Sequence, residues 1–289
     1  MKKFFLLLLP VLLLCGCTRE PSADIAATTL PVYDFTSALC QGTPLTVTRL
    51  VTEEVSCLHN YSLNVRQVQA AEAADVIVQS GAGLEEFLHD LLQDKAVIDA
   101  SEGIDLLCPE EEHEHDHDHE GHSHEEDPHI WLSPENAAVM AENICRGLCQ
   151  RYPRYQGVFQ SNLPGLLEQL DALQAYGEQE LSGLSFREMI PFHDGFSYFA
   201  QSFGLTIVEA VEEESGSEAS AKELIHLIGL VREHELPAIF VEKNGSSSAA
   251  SILSRETGAK VYMLDMAMSG SSYFDAMYHN IDTVKEALQ

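Results

Sequence analysis

The chain has 289 residues, 45% of them hydrophobic and 21% charged, a composition and length that can bury a sizeable core and divide into about two domains. Sixteen Lys and Arg against 46 Asp and Glu leave a formal net charge of -30. Such a balance excludes a binder of nucleic acid, which needs a basic face on the phosphate backbone, and makes cations the natural partners.

In chain order, Lys2 and Lys3 precede an apolar run over residues 4–14, then Leu14-Cys15-Gly16-Cys17, after which the chain turns polar. The run is shorter than the ~20 residues of a spanning helix. It resembles a bacterial lipoprotein signal, which implies that residues 1–16 are removed and that Cys17 carries the lipid. Residues 17–23 then form a tether, and the protein sits outside the cytoplasm, anchored to the cell membrane.

The mature chain reads as two rounds of strand and helix. Strands are expected over 24–30, 45–51, 75–80 and 96–100, with helices over 31–40, 64–74 and 84–92 between them. Residues 109–126 form a His-rich acidic stretch. A helix over 133–152 follows, with Ser133 as N-cap and Pro134 at its first position. A second helical run from Tyr155 to about Leu181 carries Leu163, Leu166, Leu167, Leu170 and Leu173 on one face, and Pro164-Gly165 should kink or restart it. The second round places strands at 186–192, 205–211, 237–243 and 260–264, and helices at 195–204, 220–235, 247–258 and 273–288. The expected fold class is α/β, with two parallel-sheet lobes joined by a long backbone helix. The lobes should span 24–153 and 184–289, with the connecting helix at 154–183 and the binding loops in the cleft between them.

Four candidate ligands follow predicted strands or open a turn: His59 in "SCLHNYSLN", His129 in "DPHIWLSP", His193 in "PFHDGF" and Asp265 in "VYMLDMAM". Three imidazoles and one carboxylate suit a tetrahedral Zn²⁺. Glu242 also ends a strand and competes with Asp265, and Cys57 offers a thiolate two residues before His59. His89, His226, His234 and His279 fall within helical patterns and are read as structural. In residues 110–126, His113, His115, His117, His119, His122 and His124 alternate with acids and lack apolar periodicity, which suits a mobile loop that holds zinc loosely as an accessory. Cys40, Cys57, Cys108, Cys145 and Cys149 are odd in number, so no disulfide pairing is assigned. Cys145 and Cys149, one helical turn apart, read as small buried apolar side chains.

"HNYSLN", "DPHIWLSP", "HDGFSYFA" and "VYMLDM", with the His-rich insertion before the second, resemble the zinc-binding solute-binding lipoproteins of bacterial ABC metal importers, over essentially the whole mature chain. The resemblance implies a monomeric, non-enzymatic protein that captures Zn²⁺ between its lobes and delivers it to an ABC permease driven by its ATPase. It also matches His59, His129 and His193 to the three family histidines and Asp265 to the acidic ligand. The family's manganese branch tends to place a carboxylate where His193 stands, so Mn²⁺, which prefers oxygen, is the less expected cargo. Cys57 and the "EKNGSSS" stretch depart from the family's usual wording. A surface zinc store or adhesin shares every one of these residues. A zinc hydrolase, with Asp194 or Glu242 as base, would need an open coordination position that a fourth protein ligand closes.

Overall fold

The computed structural model describes residues 23–55, 58, 61–93, 95–108, 126–210, 220–243 and 248–289. Cys17, Cys57, His59 and the six histidines from His113 to His124 lie outside the described residues.

The first lobe is built on strands β1 (Ile25–Ala27), β2 (Val47–Arg49), β3 (Val76–Gln79) and β4 (Val97–Asp99), all parallel, in the order β2-β1-β3-β4. Every residue of β1 is buried, as expected of a strand covered on both faces by helices. Helices α1 (Leu30–Leu39) and α2 (Val65–Ala73) make the first crossovers. α2 begins where the local chemistry says it should: the Asn64 side chain accepts from the N–H groups of Arg66 and Gln67, and the Gln67 side chain caps back onto Asn64.

The expected single helix over 84–92 is instead a 3₁₀ turn at Glu86–Leu88 followed by one α turn, α3 (His89–Leu92). Glu85 explains the change, because its side chain points inward. It accepts from Thr28 Oγ1 at 2.6 Å, Ser80 N at 2.7 Å and Gly81 N at 3.0 Å, and so ties the segment to the ends of β1 and β3.

α4 (Pro134–Arg151) starts at the Ser133 cap, as expected, and α5 (Gln156–Leu181) follows after a 3₁₀ turn at Pro153–Tyr155. The restart anticipated at Pro164 does not occur, since α5 runs unbroken with Pro164 inside it. Pro164 and Gln160, whose carbonyl loses its partner, both lie on the exposed face, where water can take the place of the missing N–H. The inner face carries Leu166, Leu170 and Leu173, all buried, with Leu163 and Leu167 packed against the same core.

The second lobe repeats the first. β5 (Glu188–Met189) pairs with β6 (Thr206–Ile207), β7 (Ala238–Glu242) with β8 (Lys260–Leu264), and a parallel bridge from Pro191 to Phe240 joins the two pairs in the order β6-β5-β7-β8. β5 and β6 are shorter than the apolar runs suggested, because such a run reports burial and not ladder pairing. Helices α6 (Ser197–Phe203), α7 (Ala221–Glu233), α8 (Ser248–Thr257) and α9 (Tyr273–Leu288) cover the sheet. One continuous hydrophobic core holds Phe35 and Trp131 of the first lobe together with Phe240, Leu264 and Met277 of the second.

Candidate metal centre

His129 and His193 come from different lobes and meet in the interior, each 0% exposed. The "DPHIWLSP" segment places His129 at the start of a 3₁₀ turn over Ile130–Leu132, and the turn is bolted to the other lobe. Trp131 Nε1 donates to the Met266 carbonyl at 2.8 Å, and Tyr273 Oη donates to the Trp131 carbonyl at 2.8 Å. His193 ends the segment after β5.

Each imidazole has its Nδ1 turned to a carboxylate. His129 Nδ1 lies 2.8 Å from Asp127 Oδ1, and the same oxygen accepts from His129 N at 2.9 Å. His193 Nδ1 lies 3.1 Å from Glu242 Oε1. That separation suits a hydrogen bond but the alignment does not, and Glu242 Oε2 also lacks an aligned donor. The Asp127 carboxylate at Nδ1 favours the His129 tautomer that leaves Nε2 as a lone pair, the arrangement by which metal-binding histidines are oriented.

The two Nε2 atoms then face each other at 3.3 Å with the rings at 90°. With no ion between them, His193 Nε2–H can donate to His129 Nε2, and a cation that displaces that proton meets two lone pairs. Two nitrogens bound to one tetrahedral zinc at ~2.0–2.1 Å stand roughly 3.3 Å apart. The spacing of the pair is therefore the spacing that zinc requires.

Asp265 follows β8 at the same end of the second lobe. Its Oδ1 accepts from Ala267 N at 2.9 Å and its Oδ2 lies 3.4 Å from Lys243 Nζ. Buried Asn280 brackets its backbone, accepting from Asp265 N and donating to Asp265 O, both at 2.7 Å. Ala267, two residues on, has a positive φ of 54°, a conformation uncommon for a residue with a side chain. Among the described residues no three His, Cys, Asp or Glu side chains gather closely enough to hold a metal ion. His129 and His193 are thus brought together, and Asp265 stands apart from them with its carboxylate turned to Ala267 and Lys243.

The flanks of His59 are firmly placed. Leu58 is buried, Tyr61 N donates to its carbonyl at 3.0 Å, and Tyr61 Oη donates to Glu53 at 2.7 Å. The flanks of the His-rich stretch are pinned too. Asp127 N donates to the Leu107 carbonyl at 2.9 Å, and Tyr198 Oη accepts from Leu107 N and donates to the Asp127 carbonyl. Leu107 and Asp127 are thus held side by side, and Asp127 is two residues from His129.

Of the helical histidines, His226 faces Glu209 at 2.8 Å, His234 faces Glu188 at 3.0 Å and His89 is exposed, away from the centre as expected. Sequence reasoning missed Asp127, Trp131 and Asn280. Asp127 carried a usable signal, since it stands two residues before His129 in a compact motif, whereas the other two act through contacts distant in sequence.

The chain thus has two parallel α/β lobes with a buried imidazole pair between them. The family described as zinc-uptake complex component A, periplasmic, matches residues 25–287, and the chain belongs to that family. It is 32% identical to the zinc-binding lipoprotein AdcA of Streptococcus pneumoniae over 99% of its own length and 61% of that relative's. It is also 28% identical to the manganese-binding lipoprotein MntA of Halalkalibacterium halodurans, over 80% of this chain and 77% of that one. A crystal structure of ZnuA superposes with a TM-score of 0.80 at 27% identity, covering 93% of this chain and all of the other. The chain thus spans less than two thirds of AdcA.

Proposed function

We propose that the protein captures Zn²⁺ outside the cytoplasm and delivers it to the permease of an ABC importer, acting as a binding protein without catalysis. The observation that carries this reading is the buried pair of Nε2 atoms at 3.3 Å, the separation of two ligands on one tetrahedral zinc. Nitrogen ligands also favour zinc over Mn²⁺. In this reading His59 and Asp265 join His129 and His193 to close the shell, and the histidines from His113 to His124 form an accessory site at its entrance. Cys17 bears the lipid anchor, no helix among the described residues is long and apolar enough to cross a membrane, and the chain acts as a monomer. The working divisions are a first lobe at 24–153, a connector at 154–183 and a second lobe at 184–289.

Because one core runs through both lobes, ion exchange proceeds by movement of the ligand-bearing segments and not by a wide hinge. Scattering profiles of zinc-free and zinc-loaded protein should superimpose, and a marked compaction on loading would refute this.

Competitive zinc titration with mass spectrometry tests the site. One tightly bound zinc should survive deletion of residues 110–126 and disappear in the His129→Ala, His193→Ala double variant. If tight binding instead vanishes with the deletion and persists in the double variant, the interlobe assignment fails and the protein is a His-rich zinc store.

A further inference from the structure

α4 carries two thiols on one face. Cys145 and Cys149 are four residues apart, so each lies over the other's turn. Both are free thiols, Cys145 buried and Cys149 half-buried. They line a cavity of 420 Å³ between α4 and the first turns of α5, together with Glu142, Arg146, Gln156 and Gln160. Cys145 stands 11 residues beyond Pro134 at the start of α4, roughly 16 Å along the helix from the end that carries His129.

The one-turn spacing limits what the sulfurs can do together. A disulfide needs Cβ atoms about 3.5–4.5 Å apart, whereas helical neighbours at this spacing hold theirs at about 5–6 Å. Closing the bond would distort the turn of α4 that packs on α5, so the pair persists as a dithiol even where oxidation is favoured. Among the described residues no third His, Cys, Asp or Glu completes a metal-binding group here, so four-coordinate zinc is not accommodated. Two soft donors alone suit a monovalent d¹⁰ ion in linear coordination. Two side chains one turn apart on a helix can bring their sulfurs to opposite sides of a single ion.

We propose that Cys145 and Cys149 form a second metal site, a two-sulfur site for a soft monovalent cation such as copper(I), independent of the interlobe histidines. Binding converts Cu⁺ and two thiols into an anionic bis-thiolate complex and releases two protons to solvent, with no change of oxidation state. Burial pushes the Cys145 thiol up to about 12, so ions with little affinity for sulfur do not displace its proton, and the site discriminates by softness.

The test is titration of the reduced full chain with copper(I) against a chromophoric copper(I) chelator, following the ultraviolet thiolate-to-copper band, to which imidazoles do not contribute. One copper per chain should bind with that band. The affinity should fall at least tenfold in Cys145→Ser and in Cys149→Ser, and hold in Cys40→Ser, Cys57→Ser, Cys108→Ser and the His129→Ala, His193→Ala variant. Retention of zinc binding by the cysteine variants serves as the folding control, and Cys145→Ala replaces Cys145→Ser if the hydroxyl is not tolerated in the core. An unchanged band and affinity in the Cys145 and Cys149 variants would overturn the proposal. So would a Cys145–Cys149 disulfide recovered by peptide mapping after air oxidation.

Discussion

Gly195 offers the sharpest test of how the centre is held. A Cβ at that position would stand 2.7 Å from His193 Cδ2, 2.8 Å from Met266 Cε and 3.0 Å from His129 Cε1. The methionine end can swing away, but both imidazoles are fully buried, and His129 is held at Nδ1 by Asp127. Ordinary contact begins at 3.4 Å, so the His193 ring would have to retreat by about 0.7 Å, several times the ~0.2 Å that a metal–ligand distance tolerates. Gly195→Ala should therefore weaken zinc binding about 10–100-fold, or about 1.4–2.7 kcal/mol, with about 1–3 kcal/mol lost from stability through overpacking. Chelator competition reads the first quantity and urea unfolding of the metal-free protein the second. Two other glycines calibrate the result. At Gly177 a Cβ would meet Phe203 at 2.2 Å, so Gly177→Ala should cost comparable stability while zinc affinity stays within twofold. At Gly165, on the exposed face of α5, nothing lies within 4 Å, and Ala should stabilise by about 0.5–1 kcal/mol. A Gly195→Ala protein that binds zinc within twofold of the parent, or a Gly177→Ala protein that loses zinc equally, would refute the reasoning.

Asn280→Ala removes both partners of the Asp265 backbone and leaves two buried groups unpaired, at about 1–3 kcal/mol each. Chemical denaturation should show the loss, and zinc affinity should fall with it if Asp265 is a ligand; unchanged affinity would remove Asp265 from the set. Glu85 supplies a pH dependence. Burial raises its carboxyl from 4.5 to about 7, against the lowering effect of its hydrogen bonds from Thr28, Ser80 and Gly81. A group whose folded pKa is raised contributes stability that is complete below its unfolded pKa and is lost as pH rises through the folded one. Between pH 4.5 and 7 the native protein should therefore lose about 3 kcal/mol relative to Glu85→Gln. Parallel stability-versus-pH curves for the two proteins would show that Glu85 does not titrate in this way.

Local rules account for much of what was legible in the chain. Ser133 before Pro134 marks a helix start that the structure keeps, because a cap satisfies backbone donors within a few residues of itself. The alternation of apolar strands and amphipathic helices likewise required parallel α/β lobes, since those faces can be buried in few other ways. Candidate ligands could be named because strand ends are where such folds place their loops.

What remained hidden depends on atoms far apart in sequence. That His129 and His193 meet at 3.3 Å, that Trp131 reaches Met266 across 135 positions, and that Asn280 brackets Asp265 are outcomes of packing one lobe against the other. The continuity of α5 through Pro164 was equally undecidable locally, because it turns on whether the orphaned carbonyl faces water or core. The sequence by itself determined the elements and their order. Only the tertiary structure decided which side chains share the buried space between the lobes, because their separations depend on the packing of the whole core.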